Sequence, residues 1–167
     1  DALPVGATVF GMMGRQQYAI AGPDARIIPD GIEPEAALSV FGVTGLTAYF
    51  GLLDVGEPKE GETVLVSGAA GATGSVVGQI AKIKGCRVVG IAGTDEKCAW
   101  LTDELGFDAA VNYRTQDVSA AIGETCPNGV DVFFDNVGAE ILEAALNHLS
   151  LRARVVLCGA IAQYNDT

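Results

Sequence analysis

The chain has 167 residues, about half of them apolar, and a formal charge of −11 at pH 7. That length supports one compact core with a sheet buried on both faces, and the acidic balance excludes broad contact with a nucleic-acid backbone or an anionic membrane. Cys86, Cys98, Cys126 and Cys158 lie far apart, and no run matches a membrane span or a signal peptide, so the expectation is a cytoplasmic protein with free thiols and no metal.

Residues Asp1 to Asp30 read as short antiparallel extended pieces, Ala7–Gly11, Gln17–Ala21 and Arg26–Pro29, punctuated by Gly and Pro. Glu33-Pro34-Glu35 opens a helix, with Pro near its first turn and carboxylates at its positive end. The helical pattern runs from Ala36 to Leu53 with a break near Gly42–Gly45, which predicts two consecutive helices, and Asp54–Gly61 reads as a loop. From Thr63 the chain alternates. Strands fit Thr63–Ser67, Arg87–Ala92, Ala109–Asn112, Val130–Asn136 and Ala153–Gly159; helices fit Thr73–Lys84, Asp95–Leu105, Asp117–Glu124 and Ala139–Leu149. Apolar strands alternating with helices predict an α/β fold, a Rossmann-type doubly wound parallel sheet. Such a sheet has about six strands when complete, and five are counted here. The chain enters at Asp1 without a methionine and stops soon after a strand, which reads as a fragment of a longer protein.

The most informative stretch is Val64 to Gly78. A β-branched run breaks into Gly68-Ala69-Ala70-Gly71-Ala72-Thr73-Gly74 and resumes with helical spacing. Small residues let a charged group approach the backbone, and N–H groups at a helix start favour an anion, commonly a dinucleotide pyrophosphate. The competing reading is a packing turn of another α/β protein. The spacing is Gly68-x-x-Gly71-x-x-Gly74, with Ala69 where the strict fingerprint has its first glycine. The strand before it and the helix and strand after it favour the cofactor.

The second strand of the unit ends Ile91-Ala92-Gly93-Thr94, without the acid that an NAD site places there for the ribose hydroxyls. Lys97 follows one helical turn later and suits a 2′-phosphate, which favours NADP over NAD. A solvated helix lysine is the plainer alternative. Asp95 and Glu96 stand within reach of a ribose, or else serve the helix start, with Thr94 or Asp95 as cap. Beyond the third strand, Tyr113 and Arg114 suit the same phosphate. Asn136 closes the fourth strand, either with its amide over the crevice or as a turn cap. Cys158, Gly159 and Tyr164 follow the fifth, beside the nicotinamide position. His148, the single histidine, reads as a surface or packing residue on a helix facing Leu146 and Leu149, with no orienting partner, and Gly-x-Ser-x-Gly is absent.

Six runs in order, Gly45-Leu46-Thr47-Ala48-Tyr49, Val66 to Gly74, Asp95-Glu96-Lys97, Asn112-Tyr113, Phe134 to Gly138 and Cys158 to Asn165, resemble the zinc-independent medium-chain reductases. Within them the chain is most similar to the prostaglandin reductase (leukotriene 12-hydroxydehydrogenase) and alkenal double-bond reductase group. The resemblance implies that residues 1–32 are a remnant of a barrel-like, GroES-like substrate domain and that 33–167 are an NADP-binding domain lacking its C-terminal part. It carries the cofactor contacts onto Gly71, Ala72, Thr73, Gly74, Lys97, Tyr113, Asn136, Cys158, Gly159, Ala160, Ile161 and Tyr164. It gives Lys97 the 2′-phosphate, and Tyr164 the nicotinamide ribose and a catalytic part in fixing an enolate. The implied activity is reduction of the C=C bond of a small-molecule α,β-unsaturated ketone or aldehyde by NADPH, without metal, in a parent that forms a homodimer through an edge strand. The fragment alone is then expected to be inactive. A non-catalytic NADP-binding redox-sensing or regulatory module is the alternative, and an NAD-linked alcohol dehydrogenase is disfavoured.

Overall fold

A computed structural model describes residues 3–14 and 16–165. Near its start, β1 (Val9–Phe10) and β2 (Arg26–Ile27) pair antiparallel. Gln17–Ala21, expected to be extended, joins no strand among the described residues, and Tyr18 and Ile20 are exposed. α1 (Pro34–Leu38) and α2 (Val43–Phe50) are the two expected helices. The expected loop starts later than predicted, because α2 runs on into a π-helical turn, Gly51–Gly56. Packing sets that turn: Gly51 lies against Phe134, and Gly56 against Val132 and Val156.

The alternation follows as predicted, with β3 (Thr63–Val66), α3 (Ala72–Ile83), β4 (Arg87–Ala92), α4 (Asp95–Asp103), β5 (Ala109–Asn112), α5 (Val118–Thr125), β6 (Val130–Asp135), α6 (Ala139–Leu146) and β7 (Leu149–Leu157). The five strands lie in the order β5-β4-β3-β6-β7, and every pairing is parallel. Because side chains alternate along a strand, each β3 residue chooses a face. Val64 and Val66 join Val88, Leu101, Phe107 and Phe134 under α2, α3 and α4. Leu65 joins Val89, Ile91, Val111, Ile122 and Phe133 under α5 and α6. Both layers are closed to solvent, which is why these strands read as continuous apolar runs. Gly78 on α3 is part of this packing, since a Cβ there would stand 1.8 Å from Cζ of the buried Phe107.

Two boundaries differ from expectation at the outer edge. α6 stops at Leu146, so His148 lies in the following turn instead of on a helix, and it does have a partner: Nε2 is 2.9 Å from Ser119 Oγ. β7 begins at Leu149, ahead of the predicted Ala153, because Leu149 already pairs with Val130. The register then jumps to Val132 opposite Arg154, so the intervening residues bulge, with Arg152 in the left-handed region (φ 65°). Arg154 clamps the strand to the π-helical turn: Nε donates to Gly56 O at 2.8 Å, and Nη1 donates to the Glu62 carboxylate at 3.0 Å. The Arg154 guanidinium holds the Glu62 carboxyl below the usual carboxylate range. Among the described residues no helix is long and apolar enough to cross a membrane.

Candidate functional site

The chain leaves β3 toward β4 on one side, and β6 returns to pair on the other, so the C-terminal ends of β3 and β6 border a topological switch point. In open α/β sheets this crevice is where ligands bind. A cleft of about 990 Å³ opens there.

The turn after β3 forms its first wall. Gly68 takes a left-handed conformation (φ 57°), and its carbonyl accepts the Gly71 N–H at 2.9 Å. α3 starts hard against this turn: a Cβ on Gly74 would lie 2.5 Å from Gly68 O and 2.8 Å from Ala69 Cα. Gly71 is the N-cap and no side chain caps the helix. The N–H groups of its first turn, Ala72, Thr73 and Gly74, therefore have no partner within the helix, and all three residues line the cleft. Small residues, open donors and the positive end of a twelve-residue helix make a seat for a diphosphate.

The second wall rests on a polar cluster that the sequence reading did not single out. Ser67 and Asp135, at the ends of β3 and β6, are fully buried. Ser67 Oγ donates to Asp135 Oδ1 at 2.7 Å and accepts the Asn136 N–H at 2.8 Å. The Asp135 carboxylate also takes the N–H groups of Val137 (3.0 Å) and Gly138 (3.1 Å to each oxygen). Its backbone carbonyl accepts from Cys158 and Gly159 at 2.9 and 3.1 Å, so the segment leaving β7 is anchored to β6. The available signal was two polar residues, each closing an apolar strand on one side of the switch point. Asn136 also lines the cleft, and its Nδ2 donates to Ser67 O at 2.7 Å, the turn-capping one of its two expected roles.

Beyond β7, Cys158, Gly159, Ile161 and Tyr164 line the cleft, whereas Ala160 does not. The Ala160 N–H donates to Tyr164 Oη at 3.2 Å, which folds the phenol over Gly159. Desolvation, and then the Asp135 carboxylate, push the Cys158 thiol up, so it stays protonated at neutral pH.

The far end of the cleft is formed by the tips of β4 and β5. Gly93, Thr94, Lys97, Tyr113 and Arg114 line it. Thr94 caps α4, its Oγ1 accepting the Lys97 N–H at 3.3 Å. Asp95 is neither the cap nor free: its Oδ1 accepts Asn112 Nδ2 at 2.6 Å. The Tyr113 ring lies against Gly93, with the Arg114 guanidinium 5.8 Å from its centroid. Lys97 is exposed, and the ion pairs among the described residues do not include it. Of the twelve residues carried over from the resemblance, eleven share this one cleft. Among the described residues no three His, Cys, Asp or Glu side chains group as metal ligands.

Residues 72–167 match the family of zinc-binding dehydrogenases. The chain is 48% identical over 173 residues to prostaglandin reductase 1 of Bos taurus, covering all of this chain and 52% of that protein. It is 43% identical over 164 residues to the NADPH-dependent curcumin reductase of Escherichia coli, covering 97% of this chain and 48% of that one. Among solved structures, CurA of Vibrio vulnificus in complex with NADPH superposes with a TM-score of 0.85 at 47% identity, over 91% of this chain and 46% of that one. The chain thus spans about half the length of these relatives.

Proposed function

The chain belongs to the zinc-binding dehydrogenase family, and from that premise we propose that it is the cofactor-binding portion of an NADPH-dependent reductase of α,β-unsaturated ketones and aldehydes. The observation that carries the reading is convergence: an uncapped helix start without bulky side chains and the exposed ammonium of Lys97 face one cleft at the switch point. NADPH, when bound, supplies the hydride for the β-carbon of the conjugated substrate. The N–H groups of Ala72, Thr73 and Gly74 hold the pyrophosphate, with Gly71 keeping the approach open. Lys97 neutralises the 2′-phosphate, and Tyr113 covers the adenosine end with Arg114 stacked on it. At the other end the Asp135 cluster fixes the backbone of Asn136 and of Cys158 to Ile161 as the floor beneath the nicotinamide. The Tyr164 phenol would accept from a nicotinamide ribose hydroxyl and donate its one proton to the oxygen on which enolate charge develops.

In this reading residues 1–32 are the tail of a barrel-like substrate domain and 33–167 the cofactor domain, with further substrate contacts supplied by the parent. The substrate is a small enone, the parent pairs as a homodimer, and four free cysteines suit a reducing cytoplasm. The test is titration of the chain with NADPH and NADH by fluorescence or calorimetry. NADPH should bind, and Lys97→Ala should weaken it about tenfold while leaving NADH unaffected, as expected for loss of one charge-assisted contact. Equal affinity for both dinucleotides in the unaltered chain would refute the Lys97 assignment. Binding without enone-dependent NADPH oxidation by the parent would favour the regulatory module.

A further inference from the structure

An NAD site requires a carboxylate near the end of the second strand of its mononucleotide unit. Two positions of this chain stand where it would be: Gly93, at the tip of β4, and Asp95, the first residue of α4. Both are met from the same place, the end of β5. A side chain at Gly93 would collide with Tyr113, whose Cε1 and Oη lie 2.9 and 3.0 Å from a Cβ built there. Asp95 does carry a carboxylate, and Asn112 holds one of its oxygens. Asn112 is 5% exposed, and its amide is held in one orientation: Oδ1 accepts the Arg114 N–H at 3.1 Å, so Nδ2 faces Asp95 Oδ1 at 2.6 Å. The Asn112 backbone is fixed in turn, its N–H donating to Gln116 Oε1 at 2.7 Å. Asp95 consequently does not line the cleft. The charged groups that do are Lys97 and Arg114 at this end, and Glu140 across the switch point on α6.

We propose that Asn112 is a positioning residue for cofactor specificity: by holding the Asp95 carboxylate away from the ribose, it keeps the adenosine end cationic and favours a 2′-phosphate over a 2′-hydroxyl. This rests on the dinucleotide reading of the cleft. Released, Asp95 would accept from a ribose hydroxyl and repel a phosphate, the two opposite effects of one charge.

The experiment measures dissociation constants of NADPH and NADH, by calorimetry, for the unaltered chain, Asn112→Ala, Asp95→Asn and the double variant. The unaltered chain should prefer NADPH. Asn112→Ala should narrow that preference about tenfold or more, the scale of a contact to a charged group. The double variant, with no acid left to release, should restore the original preference, a rescue that general loosening of β5 would not produce. Asp95→Asn alone keeps the bond to Asn112 and should leave the preference unchanged. An unchanged preference in Asn112→Ala, or no rescue in the double variant, would overturn the inference. Should Asn112→Ala fail to fold, Asp95→Asn decides, because a selective loss of NADH affinity there means that Asp95 already reaches the ribose. A chain that binds neither dinucleotide would overturn the cleft reading itself, whereas an NADPH preference indifferent to Asn112 would overturn only this step.

Discussion

Replacing Asp135 by Asn should weaken the fold and loosen the backbone beyond β7. Asp135 is fully buried and takes four hydrogen bonds through its carboxylate from three donors, Ser67 Oγ, Val137 N–H and Gly138 N–H. Oδ1 of the asparagine can keep the Ser67 and Val137 contacts and its own 3.1 Å contact with the Gly138 N–H, but its NH₂ must occupy the position of Oδ2, also 3.1 Å from that N–H. Two donors then face each other. The charge-assisted contact at Oδ2 is lost, about 1.5 to 3 kcal/mol, and the buried NH₂ is left without an acceptor, about 1 to 3 kcal/mol, so the change costs roughly 2.5 to 6 kcal/mol. For a chain of this size that is a fall in Tm of about 5 to 24 °C. Thermal unfolding followed by circular dichroism measures it. Hydrogen exchange at the Cys158 and Gly159 amides, which donate to the Asp135 carbonyl, reports whether the loop anchor fails with the carboxylate. A loss below about 1 kcal/mol, with unchanged exchange at those amides, would refute the account of this cluster as the anchor of the cleft floor.

Gly78→Ala should destabilise although alanine is the better helix former. The new Cβ would lie 1.8 Å from the Phe107 ring, and displacing that ring costs about 1 to 3 kcal/mol or more against roughly 1 kcal/mol of propensity gained. A companion Phe107→Leu should recover part of the loss in denaturant titration. The Glu62–Arg154 pair sets a pH dependence. Arg154 depresses the Glu62 carboxyl in the folded chain, so the native state binds fewer protons than the unfolded one. The stability this contributes is complete above the ordinary glutamate value of about 4.3 and is lost as pH falls through the depressed folded value. Glu62→Gln should flatten that acid limb in urea titrations between about pH 5 and pH 3. Tyr164→Phe in the parent should lower kcat for enone reduction by about a hundredfold to a thousandfold, the range for one donor to a developing oxyanion, and unchanged turnover would remove Tyr164 from the chemistry.

The legible parts were those in which local pattern and tertiary packing agree. Val64–Val66, Val88–Ile91 and Val132–Phe134 read as strands because burial on both faces leaves no polar position in them. The Gly68–Gly74 turn read as a phosphate seat because it lacks side chains at a strand-to-helix junction. The hidden parts depend on distant partners. Nothing local marks Gly51–Gly56 as a π-helical turn; its glycines are fitted to side chains on β6 and β7. Ser67 and Asp135 stand 68 residues apart, so neither announces the other, and the choice between the two readings of Asn136 turned on the Ser67 carbonyl, which its amide answers. Asp95 was weighed as a ribose ligand or a cap; the cap is Thr94, and Asp95 is met by Asn112 from another strand.

The bulge in β7 has a bearing on what can be laid alongside this domain. A sheet margin with free amides and carbonyls invites a neighbour, and a long straight margin invites any neighbour. Here the kink around Arg152 interrupts the ladder, leaving a straight template only from Arg154 to Leu157. A strand docking there would have four residues in which to find its alignment. On the reading of an incomplete sheet, the parent's next strand would find its alignment on those four residues.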